Sequence, residues 1–381
     1  MTDIIIATIM RPTGETGVQT HCNSLMNYLS QHHISHRLIT PFSYYNWLVY
    51  PIFALRKILH VFSGTLSVWW YRHWHAYFLQ LALQQQLQSG IDCVIYAQCP
   101  VSAAAALKAR ITSQQRVIMV THFNISQADE WVGKGIICKN STLYCNIQKF
   151  EAHILPQLDG LVFVSEFMQK ELYQRIPDIT QVEAIIVPNF LSDPGAPEIT
   201  HPLTDLICIG SLETRKNQKY LLEIIAALHA QNSDLSVTIV GDGPDRALLE
   251  ETATRLHINH LVKFSGFISN AAELINSHKA CIHVATIENL PITLIEALGR
   301  GRPIFATPVG GVMEILGDGS VGIALPLNDA QSAARLVSEA MQNAAWMTKA
   351  ASAARQRFLN QYASSVSAKR LTQFLLQTSE C

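Results

Sequence analysis

Short apolar runs alternate with helical patterns along the whole chain, and this alternation limits the folds open to it. The predicted strands cover residues 4–9, 37–40, 92–98, 116–121, 161–164, 185–187, 206–209, 237–240, 262–265, 280–285 and 303–306. Strands that alternate with helices form parallel sheets with helices on both faces. The sequence therefore predicts an α/β protein in which both halves are Rossmann-like.

A segment rich in proline and glycine separates the two halves. It reads Ser192-Asp193-Pro194-Gly195-Ala196-Pro197, a composition typical of a linker. A length of 381 residues also favours two domains. We expect an N-terminal domain over 1–192, a C-terminal domain over 193–355, and a final helix within 356–381 that packs back toward the N-terminal domain. Two such sheets would face a central cleft at the carboxyl ends of their strands.

Composition narrows the class of partner and the compartment. The net charge is −1 and the pI is near 6.9, which argues against a nucleic-acid partner. Charged residues make up only 15% of the chain and the mean hydropathy is +0.16, so part of the surface is expected to contact a partner or a membrane. The eight cysteines show no CxxC or zinc spacing, and the first seven residues read as a strand rather than a signal peptide. These features predict a reduced, cytoplasmic protein.

The stretch from Ile282 to Gly311 is the main candidate for a ligand site. A buried strand is followed by a loop from Thr286 to Leu290 and by a helix. Pro291 suits a first helical position, since its missing N–H has no partner there in any case. The free N–H groups and the helix dipole at this start favour a bound phosphate.

Two carboxylates bracket this expected phosphate site. Glu288 lies in the loop and Glu296 about a turn into the helix. A carboxylate repels phosphate but accepts hydrogen bonds from paired sugar hydroxyls, so the ligand that satisfies both groups is a nucleotide-sugar. The alternative is an ordinary strand–helix unit in which Glu288 is solvated and Glu296 partly packed.

Other candidate residues also follow predicted strands. Arg215 and Lys216 precede a helix, where cations oppose the dipole unless an anion binds. His122 follows the strand 116–121, at the end of a sheet where α/β proteins bind ligands. Gly14 and Gly17 could let a ligand approach the first loop closely, although an ordinary tight turn also explains Gly14. There is no pair of aspartates two apart and no metal-ligand spacing, so we expect no metal and no other cofactor.

The segment 44–87 differs from the rest in being rich in tryptophan, tyrosine and phenylalanine. Basic residues and histidines lie between the aromatic residues, and no run is long enough to span a membrane. Aromatic and basic residues together are typical of a membrane interface, so peripheral membrane contact through 44–80 is one interpretation. Two core helices are the other.

Several motifs in one order give the chain a family resemblance. They are Gly210 to Lys216 (G-x-L-x-x-x-K), Val240-Gly241-Asp242-Gly243-Pro244, Val262 to Gly266 (V-x-F-x-G), Glu288 with Glu296 (E-x7-E), and Gly310-Gly311-Val312-Met313-Glu314-Ile315. Together they resemble the retaining GT-B glycosyltransferases of family 4, also called glycosyl transferases group 1. The resemblance covers nearly the whole chain and is strongest from Leu206 to Pro326.

The resemblance implies a metal-independent enzyme that moves a sugar from a nucleoside-diphosphate sugar to an acceptor hydroxyl with retention. It implies that the C-terminal domain holds the donor and the N-terminal domain the acceptor. By resemblance, Lys216 contacts the diphosphate, Glu296 the ribose hydroxyls and Glu288 the transferred sugar. Gly17 lets the first loop approach the phosphates, and His122 touches the sugar near its reacting carbon. The remaining donor-binding positions implied are Ser211, Arg215, Gly241, Gly266, Asn289, Leu290, Pro291 and Ile292.

The chain departs from the family pattern at a few positions. Ser211 stands where the family often has arginine, so Arg215 is expected to supply that charge. The loop Asn289-Leu290-Pro291 replaces a commoner Gly-Phe-Gly, and Pro291 removes one N–H from the phosphate site.

Two other functions stay open on the sequence. One is a catalytically silent GT-B protein that binds a sugar or a partner. The other is a GT-B epimerase or phosphorylase. Acceptors could be a glycan, a lipid-linked sugar or a small molecule, and the aromatic segment favours one near the inner face of a membrane.

Overall fold

The computed structural model describes residues 2–14, 16–44, 47–88, 91–195 and 203–377. The chain divides into two compact units, one of residues 1–188 with 367–381 and one of residues 189–366. Ala196 and Pro197 of the predicted linker lie outside the described residues.

Twelve strands of the described chain form two sheets of six, and every pairing is parallel. They are β1 (Asp3–Ala7), β2 (His36–Ile39), β3 (Cys93–Ala97), β4 (Gln115–Thr121), β5 (Gly160–Phe163), β6 (Ala184–Ile186), β7 (Thr204–Ile209), β8 (Val237–Val240), β9 (Val262–Gly266), β10 (His278–His283), β11 (Ile304–Ala306) and β12 (Gly322–Ala324). The predicted α/β class with two parallel sheets is confirmed.

Helices connect these strands. They are α1 (Gly17–Gln31), α2 (Val49–Phe62), α3 (Gly64–Gln86), α4 (Pro100–Ala109), α5 (Gln127–Gly133), α6 (Thr142–Ile154), α7 (Glu166–Arg175), α8 (Gln218–Ala230), α9 (Arg246–Arg255), α10 (Ile292–Gly299), α11 (Val312–Leu316), α12 (Ala330–Gln342), α13 (Ala344–Arg357) and α14 (Ser364–Leu376). None of the helices in the described part of the chain combines the length and the apolar character that crossing a membrane requires.

The strand sequences explain why the sheets lie inside. Ile4, Ile5 and Ile6 are all fully buried although successive side chains of a strand point to opposite faces. Both faces of such a strand must therefore be covered, as helices cover parallel sheets. The same holds in the second unit, where Ala280, Cys281 and Ile282 of β10 are buried in succession.

Three local predictions need correction. The strand expected at 280–285 begins two residues earlier, as β10, because its first residue, His278, pairs with Thr204 of β7. Strand β12 (Gly322–Ala324) was not predicted, since three residues beside several glycines give too weak a pattern. Pro291 is the N-cap of α10 and not its first residue, because its ψ of 121° lies outside the helical range.

Strand order locates the ends at which ligands are expected. The first sheet has the order β2-β1-β3-β4-β5-β6 and the second β12-β11-β10-β7-β8-β9. The direction of winding reverses between β1 and β3 in the first sheet, and between β7 and β10 in the second. In open α/β sheets such a switch point opens a crevice for ligands beyond the carboxyl ends of the strands.

The first unit includes the end of the chain. Helix α14 buries Ala368, Leu371, Phe374 and Leu375, although it follows the whole second unit in the sequence. Phe374 lies so close to Gly160 of β5 that a Cβ there would be 3.3 Å from its ring.

Candidate active site

The loops after β7 and β10 meet at the switch point of the second sheet. The backbone N–H and the hydroxyl of Thr286 both donate to the carbonyl of Arg215, at 2.9 and 3.2 Å. A short 3₁₀ turn, Thr214–Lys216, ends at Asn217, whose left-handed φ of 56° turns the chain into α8. This geometry brings the side chain of Lys216 back toward the loop after β10.

Glu288 is the centre of a cluster of charged and polar groups. Its carboxylate accepts a short contact from the ammonium of Lys216, and its Oε1 lies 3.8 Å from the guanidinium of Arg215. Nε2 of His283, the last residue of β10, is 3.3 Å from the same oxygen. Arg215 also pairs with Glu213 at 2.6 Å. Two carboxylates and two cations therefore balance each other in this loop pair.

These neighbours fix the charge state of Glu288. Burial alone would raise the pKa of its carboxyl, but the charge of Lys216, the His283 ring and Arg215 hold the pKa well below its usual range. Burial lowers the pKa of His283, more than its contact with Glu288 raises it. Glu288 is therefore ionised and His283 neutral at neutral pH.

Glu296 is a carboxylate of a different kind. It lies on α10 and is partly buried, and this burial raises its pKa to about 7, against a smaller opposing effect of Arg300. The group can thus exchange its proton near neutral pH. The two glutamates of the E-x7-E motif are held in opposite electrostatic settings, one fixed as an anion and one close to its titration point.

The segment between them opens α10. Asn289 and Leu290 are buried, and their carbonyls accept from the N–H of Gly311 at 2.7 Å and from Nδ2 of Asn189 at 2.8 Å. No side chain in the described residues caps α10 at Pro291. The amino end of this helix, beginning with Ile292, therefore keeps backbone donors available for an anion.

Gly241 and Gly266 allow the backbones at the ends of neighbouring strands to approach each other closely. The N–H of Gly241, just after β8, donates to the carbonyl of Gly266 at 2.8 Å. Gly241 has a φ of 139°, and a Cβ there would lie 2.0 Å from the carbonyl oxygen of Gly210. Only glycine therefore fits at Gly241 without displacing the loop after β7.

Ser211, in the loop after β7, is exposed, and its carbonyl accepts a hydrogen bond from the side chain of Gln218 at 2.9 Å.

The remaining predicted residues, Gly17 and His122, belong to the first unit. Gly17 is the first residue of α1, whose N-cap Thr16 forms a capping box with Gln19. His122 follows β4, and its Nε2 lies 3.2 Å from Oε1 of Gln98. Gln98 and His122 directly follow the neighbouring strands β3 and β4, and Gly17 begins the helix after β1, which lies on the other side of β3.

A second histidine supports His122. The ring of His21, on α1, packs edge to face on the His122 ring with centroids 4.6 Å apart, and its Nε2 is 3.3 Å from the Tyr96 hydroxyl. Burial lowers the pKa of His122 to about 3 and that of His21 well below its usual value, so both rings are neutral at neutral pH.

Sequence reasoning missed His21, Gln98 and His283. His283 and Gln98 could have been found, since one ends β10 and the other directly follows β3. His21 carried no signal, because it lies within a helix and only the fold brings it to His122. Among the residues that the structure describes, no group of three or more His, Cys, Asp or Glu side chains could hold a metal ion.

Comparison with known proteins identifies the class. The chain resembles the structure of HepE from Anabaena, determined in complex with UDP and glucose, with a TM-score of 0.70 at 16% identity over 99% of this chain and 100% of that one. It also resembles sucrose-phosphate synthase of Thermosynechococcus elongatus, with a TM-score of 0.73 at 15% identity over 98% of both chains. The two parallel six-stranded sheets and these likenesses define a GT-B fold.

Family models identify the family. The model for glycosyl transferases group 1 matches residues 194–357, and the model for glycosyltransferase family 4 matches residues 16–192. The chain belongs to the glycosyl transferases of group 1, the family 4 type of glycosyltransferase. Among curated proteins it is 25% identical to the putative glycosyltransferase EpsD of Bacillus subtilis over 68% of this chain and 71% of that protein. The chain spans 32% of the length of two further curated relatives, each 28% identical to it over that part.

Proposed function

We propose that this protein transfers a sugar from a nucleoside-diphosphate sugar to an acceptor hydroxyl, with retention of the anomeric configuration and without a metal ion. The observation that carries the proposal is the cluster of Lys216, Arg215 and Glu288 beside the uncapped start of α10. Cations and backbone donors on one side suit a diphosphate, and carboxylates suit hydroxyl groups. The cluster lies at the switch point, where α/β sheets bind nucleotides.

In the proposed reaction, negative charge grows on the departing diphosphate. Lys216 and the amino end of α10 stabilise that charge more in the transition state than in the ground state, which is what accelerates the reaction. Lys216 pairs with Glu288 in the structure, so a bound diphosphate competes with a carboxylate for this ammonium. Glu288 then turns to the hydroxyls of the transferred sugar, and Glu296 to those of the ribose.

We propose further that the departing phosphate oxygen takes the proton of the acceptor hydroxyl on the same face. His122 contributes a neutral ring near the reacting carbon, since its pKa of about 3 keeps it uncharged. A neutral imidazole can exchange hydrogen bonds with sugar hydroxyls without attracting the diphosphate away from Lys216.

A donor screen tests the proposal. Purified protein is melted in the presence of UDP-, GDP- and ADP-sugars, beginning with UDP-glucose because HepE was crystallised with UDP and glucose. A ligand at about 100 times its Kd stabilises the folded state by about 2.7 kcal/mol, which is a clear rise in Tm. The Lys216→Ala variant is the control and should lose most of the rise. No shift with any nucleotide-sugar would reject the donor site.

Turnover separates an enzyme from a silent binding protein. An enzyme should release nucleoside diphosphate slowly by donor hydrolysis and faster with an acceptor, and chelator should leave the rate unchanged. Product with the anomeric configuration of the donor supports retention, whereas inversion contradicts it. Donor binding without hydrolysis or transfer would favour the silent alternative, and isomerised nucleotide-sugar would favour an epimerase.

We also propose a cytoplasmic enzyme that meets a lipid-linked or glycan acceptor at the inner face of a membrane through residues 44–80. The described part of this segment, 44 and 47–80, forms most of the helical pair α2 and α3. Tyr45 and Asn46 lie outside the described residues.

A further inference from the structure

Helix α2 is apolar on the side that faces solvent as well as on the side that is packed. Its packed side is fixed by Phe53, which stacks on His75 of α3 with ring centroids 3.8 Å apart. Nε1 of Trp70 donates to the carbonyl of Ile52 at 2.8 Å and joins the two helices a second time. Large apolar side chains on a second face of a helix are normally covered by another surface. The outer side of α2 therefore exposes apolar side chains that another surface would normally bury.

The exposed apolar residues are concentrated where α2 turns into α3. Ser63 is both the C-cap of α2 and the N-cap of α3. The apolar tip, defined as Ile58, Val61, Phe62, Leu66 and Trp69, has side chains exposed by 56, 81, 81, 42 and 48%. Each of these residues is at most six positions from Ser63, so the tip spans roughly 10 Å along either helix. Exposed apolar side chains grouped in this way mark an interaction site.

The surroundings of the tip are basic. Lys57 is exposed on α2 one position before the tip. A Cβ on Gly64 would be 2.5 Å from the carbonyl oxygen of Ile136, so the loop that carries the exposed Lys134 and Lys139 lies against the helix turn. The ammonium of Lys134 lies 5.2 Å from the ring centre of Trp131.

Acidic residues are absent from the same stretch of sequence. No aspartate or glutamate occurs between Glu15 and Asp92, although Arg37, Arg56, Lys57 and Arg72 do. Two acids precede Lys134 on α5, where Asp129 accepts from the Tyr144 hydroxyl at 2.9 Å and Glu130 is partly buried.

We propose that the apolar tip inserts into the interfacial layer of an anionic phospholipid bilayer, with Lys57, Lys134 and Lys139 against the lipid phosphates. The contact deepens the proposed function and rests on it for its purpose, which is to hold the enzyme where a lipid-linked acceptor lies. Highly exposed aromatic and aliphatic side chains on two helices without acids, beside lysines, match a membrane surface in both polarity and charge. A protein partner would not require the charges around the apolar tip to be all positive.

Sedimentation of the full chain with vesicles tests the proposal. Vesicles of phosphatidylcholine with 30% phosphatidylglycerol should sediment the protein at low salt, and pure phosphatidylcholine should sediment much less. The Val61→Ser/Phe62→Ser variant should bind at least about ten-fold more weakly, as expected from the apolar area removed. Lys57→Glu should weaken binding by at least about five-fold, and high salt should act in the same direction.

A matched variant controls for lost surface apolarity alone. Ile111→Ser/Leu248→Ser removes two residues that are exposed by 53 and 55% outside the tip, and it should bind vesicles as the unchanged protein does. Far-UV circular dichroism and Tm establish that all variants fold.

Several results would overturn the proposal. They are equal binding to neutral and anionic vesicles, unchanged binding by the tip variant, or self-association at the tip, seen by analytical ultracentrifugation, in place of vesicle binding. Donor-induced thermal shifts of the tip variant should equal those of the unchanged protein. A failed membrane contact thus leaves the donor result intact, and a failed donor screen leaves the vesicle result intact.

Discussion

Lys216 and Glu288, 72 residues apart in the chain, are in direct ion-pair contact in the second unit. Sequence reasoning had given each its own part of a donor molecule, one the diphosphate and the other the sugar. The structure shows that each is also the other's partner. The ion pair holds the two charged groups side by side, next to the start of α10.

The first prediction concerns the energy of this pair. Lys216→Met and Glu288→Gln should each destabilise the second unit by about 3 kcal/mol, since each leaves a buried or partly buried charge without its principal partner. The double variant should lose less than the sum, with a coupling of about 1–3 kcal/mol in chemical denaturation. The exposed pair Arg246–Glu250 on α9 is the control, with coupling of at most about 0.5 kcal/mol. Additive losses at Lys216 and Glu288 would contradict the contact.

Catalysis provides a second prediction. Lys216→Ala and Glu296→Ala should each lower kcat/KM by about 100-fold or more, because the proposed reaction has each of them contact the donor. Lys219→Ala, an exposed lysine on α8, serves as the control and should keep its activity. Near-normal turnover in either site variant would remove that residue from the site.

A third prediction follows from the raised pKa of Glu296. In the folded protein this carboxyl stays protonated up to a pKa of about 7, whereas in the unfolded chain it ionises from about pH 4.5. Raising the pH between these values therefore favours unfolding, and the stability from the protonated group is lost by the upper end of the window. Glu296→Gln lacks this loss, so the Tm of the variant minus that of the unchanged protein should rise between pH 5 and 7.5. Glu251→Gln, at an exposed position of α9, should show no such trend.

Fourth, Gly241 should not tolerate a methyl group. Gly241→Ala places a Cβ against the carbonyl of Gly210 and strains a φ of 139°, which should cost about 2–4 kcal/mol and weaken donor binding. Gly135→Ala also has a left-handed φ, of 68°, but open space around it, so its cost should stay near 1 kcal/mol. Chemical denaturation of both variants measures the difference. Equal losses would show that backbone strain alone matters.

Fifth, His21 should stabilise the fold most at a pH where its ring is neutral in the unfolded chain as well. Both rings are neutral when folded, but in the unfolded chain they protonate below about pH 6.5. The stability from neutral His21 is present above that pH and is lost as the pH falls. The Tm deficit of His21→Phe should therefore be largest near pH 7.5 and shrink toward pH 5. His153→Phe, at an exposed position on α6, should show no deficit that changes with pH. A pH-independent deficit in His21→Phe would assign His21 a packing role only.

The fold was predictable because strand patterns depend on neighbouring residues. Runs such as Ile4–Ile6 are buried on both faces and can be recognised without knowing their partners. Strand β12 could not be, because its three residues are a strand only through pairing with β11. Pro291 showed the limit at helix ends, where one residue decides between cap and first turn.

The sequence predicted which residues form the candidate site better than it predicted the contacts among them. Motif spacing and strand ends pointed to Lys216, Glu288, Glu296 and His122. They did not reveal that Arg215 pairs with Glu213, or that the two glutamates have opposite pKa shifts. Those properties come from burial and from residues distant in sequence, which no local pattern records.

Helix α14 has a consequence for any attempt to express the first unit alone. A fragment ending at Pro188 would lack the helix that buries Phe374 against Gly160 and whose Arg370 donates to the carbonyl of Ile186 at 3.2 Å. Such a fragment would expose the apolar surface of β5 that α14 covers, and it should aggregate. A soluble fragment would require residues 364–377 to be added back, either as a separate peptide or by circular permutation.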